Sequence, residues 1–148
     1  MAERDYRAIT ERFREAFSVR HDAKAVAQIF SEDALLQDPS LPEPVRGRKA
    51  IEEWFGAMLR AFPDITGETT SVFGTGDSFA WEWVMRGTHT GPLAGPQGEI
   101  PPTGRRAEVR GCDVCRLDAR GLIVEDRSYW DSASMMQQLG LMPEARAA

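Results

Sequence analysis

The chain changes character at Pro63. Before it, apolar residues recur three and four apart; after it they tend to alternate, and this change of period restricts the fold more than any other feature. Upstream, residues 4 to about 18 set Tyr6, Ile9, Phe13 and Phe17 on one helical face. Asp22 can cap a second, shorter helix with Val26, Ile29 and Phe30 on its buried side, after which Ala34-Leu35-Leu36 runs extended. A loop marked by Pro39, Pro42 and Pro44 leads to a third helix from about Arg48, with Ile51, Trp54, Phe55 and Met58 inward. That helix must end before Pro63, because a residue preceding proline disfavours helical geometry. Downstream, strands are predicted at about 64–74, 78–90, 104–117 and 121–131, separated by turns such as Gly74-Thr75-Gly76, and a short helix from Ser132 to Leu139 stops at Gly140. Helices segregated ahead of sequential strands predict an α+β fold: a cone-shaped roll of three N-terminal helices packed on a strongly curved, mostly antiparallel sheet. With no repeat and no linker, one domain spanning 1–148 is expected.

Charge and hydropathy narrow the partners. The net charge is −5 and the basic residues are scattered, Arg46, Arg48, Arg105 and Arg106 being the nearest thing to a patch, so nucleic acid is not an expected partner. No stretch approaches the roughly 20 apolar residues of a membrane helix, and the N-terminal segment interleaves charges with apolar positions, unlike a secretory signal. A cytoplasmic location is the expectation, with no membrane partner. Apolar residues on an outer sheet face would suit a homodimer.

Cys112 and Cys115 have the C-x-x-C spacing of zinc and redox sites, but on a strand positions three apart point to opposite faces, and the only other soft candidates are His21 and His89. Neither a metal nor another cofactor is expected. The Pro- and Gly-rich segment 90–104 is too long for a tight hairpin turn, and two readings stand: a lid over a pocket mouth, or a loop without a task.

Candidate chemistry rests on carboxyls. The turn Asp118-Ala119-Arg120-Gly121 would pair Leu117 with Leu122, which puts Gly111, Asp113 and Cys115 on one side of a hairpin with Val124, Asp126, Ser128 and Trp130. Arg110, Arg116, Arg127 and Asp131 take the other side, so the first is assigned to the concave, pocket-facing surface. Asp113 then sits among apolar neighbours with Asp126 directly opposite; burial and the neighbouring acid both favour a neutral carboxyl, although a structural ion pair with an arginine is the competing reading. Asp38, before Pro39, is either a turn cap or a carboxylate projecting into a cavity. His89 shares a strand face with Trp81, Trp83 and Met85, and is either a pocket group or a hydrogen-bonded core residue.

Two sets of motifs carry a resemblance. Glu32-Asp33-Ala34-Leu35-Leu36-Gln37-Asp38-Pro39, Pro44-Val45-Arg46-Gly47-Arg48 and Gly111-Cys112-Asp113-Val114-Cys115-Arg116-Leu117, with Tyr129-Trp130, resemble the ketosteroid isomerases of the nuclear transport factor 2-like superfamily. Phe62-Pro63-Asp64-Ile65, Arg86-Gly87-Thr88-His89-Thr90-Gly91, Pro101-Pro102-Thr103-Gly104-Arg105 and Gln138-Leu139-Gly140 are more similar to the SnoaL-like polyketide cyclases of that superfamily.

The isomerase resemblance implies Asp38 as general base and Asp113 as protonated oxyanion donor, a pairing for which that family is itself the standing example. It implies pocket roles for Trp130 and, with Trp83, His89, Asp126 and Ser128, for Phe13, Phe30 and Phe55, the three phenylalanines standing where the family's tyrosines would. The cyclase resemblance puts Ser128 where those enzymes keep an acid/base aspartate, Asp126 being two residues away on the same face. Three functions follow as expectations: proton abstraction α to a carbonyl of a small apolar ligand, aldol ring closure of a polyketide, or binding of an apolar ligand without turnover.

Overall fold

A computed structural model describes residues 4–95 and 97–143. Helix α1 (Tyr6–Arg14) starts where the Asp5 carboxylate accepts the Ala8 N–H, and continues as a π-helical turn, Glu15–Val19, that keeps Ala16 and Phe17 buried. Asp22 caps α2 (Ala23–Ala27) in the same manner through the Ala25 N–H. Helix α3 (Arg48–Ala61) buries Ile51 and Phe55 and ends at Phe62, ahead of Pro63.

The strands are β1 (Phe30–Gln37), β2 (Val45–Arg46), β3 (Thr66–Thr75), β4 (Ser78–Thr88), β7 (Arg106–Leu117) and β8 (Ile123–Trp130), paired in the order β2-β1-β8-β7-β4-β3. All neighbours run antiparallel except β1 and β8. Helices α1 to α3 lie on the concave face, and the buried apolar residues form one cluster in which Phe13 meets Phe17, Phe55 and Trp81 at ring centroids of 5.2–5.5 Å. The Tyr6 hydroxyl donates to the Gly76 carbonyl at 2.7 Å, tying the first helix to the β3–β4 turn. The curved, mostly antiparallel sheet under a helical layer is the expected architecture.

Four expectations are corrected. Phe30 opens β1 instead of closing the second helix, since it pairs with Ile123 of β8 and, past a register shift, Leu35 pairs with Glu125. Val45–Arg46, expected as part of a loop, forms the short edge strand β2. Segment 90–104, expected as irregular chain, holds regular structure: Leu93–Gly95 (β5) and Gly98–Ile100 (β6) pair as a small ribbon. Its stem is tied to the end of α3, where the Thr90 and Gly91 amides donate to Ala61 O; an added Cβ on Gly91 would sit 1.8 Å from Arg60 O.

The fourth correction concerns the β7–β8 register. Leu117 pairs with Ile123, and a bulge then sets Arg116 opposite Glu125, Cys115 opposite Asp126 and Asp113 opposite Ser128. The turn is one residue longer than expected and the bulge adds one more. Ile123 therefore replaces Val124 on the buried side, while Asp126, Ser128 and Trp130 keep the predicted face because two one-residue displacements restore the parity. Cys112 and Cys115 lie on opposite faces, opposite Tyr129 and Asp126 respectively. The final helix, α4 (Ser132–Gln138), is capped by Asp131 and held to β7 by Gln138, whose amide bonds both backbone groups of Glu108.

Candidate active site

Between helices and sheet lies a hollow whose atom-free space is about 780 Å³, open solvent at its mouth included. Helices supply Phe13, Phe17, Trp54, Phe55 and Met58 to its wall; the sheet supplies Trp81, Trp83, Val109 and Trp130. Its polar groups are few: Asp38, Asp113, Asp126, Ser128 and, with the indole N–H groups, Arg86. A mostly apolar wall with a small number of converging polar groups binds an apolar body and orients one polar end.

Asp38 directly follows the last residue of β1 and is half-buried, ahead of the exposed Pro39 and Ser40. Both expected roles coexist in it. Its Oδ1 accepts the Ser40 amide at 2.9 Å together with the Ser40 hydroxyl, closing a turn, while its Oδ2 accepts the Trp130 indole N–H at 2.9 Å on the cavity side. The cap holds the carboxylate still and the indole aims it.

Asp113 lies deeper, 7% exposed, with its Oδ1 accepting the Trp83 indole N–H at 3.1 Å. Desolvation raises its pKa; hydrogen bonds from Asp126, Trp83 and Ser128 oppose that rise without cancelling it, and the charge of Asp38 adds to it. Asp126 is 3% exposed and is pushed well above the usual carboxyl range, first by desolvation and then by the charge of Asp113. The two titrate as a pair, both pushed toward the neutral form by burial. No arginine pairs with either acid among the described residues, so the ion-pair reading of Asp113 falls away; Arg116 and Arg127 meet Glu125, and Arg110 meets Glu108.

Gly111 makes this arrangement possible. It lies opposite Trp83 on one side and Trp130 on the other, and a Cβ there would come within 2.3 Å of the Trp83 ring. Across that bare position the two indoles reach the two aspartates.

Of the residues singled out in the sequence, Asp38, Asp113, Phe13, Phe55, Trp83, Asp126, Ser128 and Trp130 line the hollow. Two do not. Phe30 is fully buried behind Phe55 at 6.1 Å. His89 is also fully buried, but its Nδ1 accepts the Thr103 N–H and its ring packs on Phe62, so it braces the stem of the 90–104 segment. Trp54, Met58 and Val109 were missed as wall residues; a turn of helix between Trp54 and Met58 gave the signal for a shared face, but nothing in it distinguished cavity from core.

The family model of the SnoaL-like polyketide cyclases matches residues 8–139. The chain belongs to the SnoaL-like family. Among curated proteins, this SnoaL-like chain is similar to a steroid Delta-isomerase from Nocardioides simplex, 30% identical over 112 residues that make up 76% of this chain and 79% of that one. Among solved structures it is similar to IdmH from Streptomyces antibioticus, 29% identical with a TM-score of 0.71 over 90% of this chain and 97% of that one. TsrD from Streptomyces laurentii shares its fold at a TM-score of 0.79 and 20% identity, over 95% of this chain and 100% of that one. The SnoaL-like chain thus has the fold of both groups it resembled. No described helix is long and apolar enough to cross a membrane.

Proposed function

We propose that the hollow takes a small apolar carbonyl compound and that Asp38 removes a proton from the carbon α to the carbonyl while Asp113 donates a hydrogen bond to the carbonyl oxygen. As the C–H bond breaks, its electron pair moves into the new C=C bond and negative charge develops on oxygen. Asp38 then returns the proton to carbon, so no oxidant, reductant or cofactor is consumed. One observation supports this most: three carboxyls line one apolar hollow at different depths, a partly solvated one aimed by an indole and two buried ones whose pKa values desolvation raises. The kinship to a steroid Delta-isomerase favours a polycyclic ketone as the substrate class.

The test is proton exchange. With a 3-oxo-Δ5-steroid in deuterated buffer, Asp38→Asn should slow α-proton exchange by about a hundredfold or more, while affinity changes less than about threefold. Exchange at the parental rate in the variant would end this reading.

Membership in the SnoaL-like family favours a second reading, aldol closure of a polyketide ring, in which Asp126 and Ser128 occupy the acid/base corner. An ester-activated polyketide should then be consumed only while Asp126 is intact, and activity retained in Asp126→Asn would count against it. We also propose a cytoplasmic homodimer joined through the outer sheet face, where Tyr129 is 56% exposed opposite the cavity side of β8. Light scattering that returned the monomer mass would exclude the dimer.

A further inference from the structure

On the helical side of the hollow Phe13, Phe17 and Phe55 present bare rings, and Trp54 carries the one donor among the wall residues named there. On the sheet side the Trp83 N–H is held by Asp113 and the Trp130 N–H by Asp38, and Arg86 is engaged by Glu108 and Glu68. An oxygen that turns anionic at the Asp113 end of the hollow therefore meets the two buried acids, with Ser128 beside them.

Asp126 is the deeper of the two. Its Oδ1 has neither a hydrogen-bond partner among the described residues nor contact with water, a state that a carboxylate sustains only at high cost and a neutral acid sustains readily. A negative charge on Asp113 or Asp38 would repel a further charge on Asp126, and the buried Cys115 is its register partner on β7. Asp113 accepts the Trp83 indole N–H and stands diagonally across the β7–β8 pair from Asp126, both lining the hollow.

We propose that Asp126 is the positioning acid of the site: it donates its proton to Asp113, leaving Asp113 free to donate its own proton to a single oxygen at the closed end of the hollow, so that ketones and phenols are gripped by two carboxylic acids in series. The chain has a direction because the two indole donors have fixed one oxygen of Asp113 and one of Asp38. A hydrogen bond accepted by an acid strengthens the one it donates, so the deeper acid acts on the ligand without touching it. The pair supplies what a hydroxyl on the phenylalanine side would otherwise supply. No covalent bond to Asp126 forms or breaks.

This inference rests on the proton-transfer reading for its catalytic consequence, yet it can be tested without turnover. The probe is 2-naphthol, a phenol whose oxygen becomes more anionic when hydrogen-bonded, added to protein carrying 13C at the aspartate carboxyl carbons. In the parent, at least one aspartate carboxyl should titrate well above the usual carboxyl range, vanish from the spectrum in Asp126→Asn, and shift together with the Asp113 carboxyl when 2-naphthol binds. In Asp126→Asn, whose amide still donates, Asp113 should titrate close to its parental position and 2-naphthol affinity should stay within about threefold. Asp126→Leu, which cannot donate, should raise the Asp113 titration and weaken binding about tenfold or more. The proposal is overturned if all parental aspartates titrate in the usual carboxyl range, if Asp126→Leu binds 2-naphthol as the parent does, or if 2-naphthol moves Asp113 alone. Should Asp126→Leu fail to fold, the parent and Asp126→Asn spectra decide. Both carboxyls shifting with 2-naphthol in a protein that exchanges no α-protons would uphold the pair and discard the reaction.

Discussion

The indole of Trp83 lies flat across Gly111, its register partner on β7, and there its N–H reaches the Asp113 carboxyl at 3.1 Å. A methyl group on Gly111 would fall 2.3 Å from Cζ2 of that ring, far inside contact distance. The absence of one side chain thus sets the electrostatic surroundings of the next but one along the strand.

Gly111→Ala should therefore displace Trp83 and release Asp113 from its indole donor. Overpacking of this kind costs about 1–3 kcal/mol. Urea unfolding should show that loss, and the Trp83 indole N–H resonance should move; an unmoved resonance with parental stability would mean that the ring accommodates the methyl where it lies.

Buried neutral acids give the protein a stability that declines with rising pH. The folded-state pKa values of Asp113 and Asp126 lie above the unfolded value near 3.8, so between those limits the native state binds more protons than the unfolded one. Their contribution is complete below about pH 3.8 and fades as pH rises toward the raised values, at up to about 1.4 kcal/mol per pH unit for each proton involved. Asp126→Asn should remove part of this slope, through both its own charge and its repulsion of Asp113 and Asp38. Melting temperatures of parent and variant taken from about pH 4 to 8 should diverge in favour of the variant toward the alkaline end, and parallel curves would contradict the assignment.

His89 works in the opposite sense. Its side chain is fully buried and burial lowers its pKa below 6.5, so the unfolded chain takes up the proton first as pH falls. Stability from the neutral imidazole is present above about pH 6.5 and is lost as pH drops through the lowered folded value. Because the Thr103 N–H donates to the neutral ring at 3.2 Å, the protection factor of the Thr103 amide should fall as pH drops through the lowered imidazole value in the parent, and be small at every pH in His89→Ala. A Thr103 amide equally protected at pH 5 and 8 would show that the ring does not titrate there.

Much of this arrangement was legible before any coordinates. The break at Pro63, the Asp22 cap and the α3 stripe follow from local rules of period and capping, which depend only on neighbours in the chain. The inward face of β7 and β8 was legible too, and for an instructive reason: the longer turn and the bulge each displaced the register by one, so the faces survived while the partners changed. Asp126 consequently met Cys115 where Asp113 was expected. His89 shows the limit of the same reasoning, since strand parity puts it on the face of Trp81 and Trp83 but not at the same depth along the strand, and the wall of the hollow ends before reaching it.

Order of elements, apolar faces, low positive charge and the presence of acids at positions 38, 113 and 126 were properties of the chain as a string, because each follows from residue type and short-range spacing. Which acids share a hollow, which holds a proton and which is steadied by an indole were decided only in three dimensions. Desolvation and Coulomb repulsion act through space between groups up to 88 positions apart, and no local pattern encodes the distance between them.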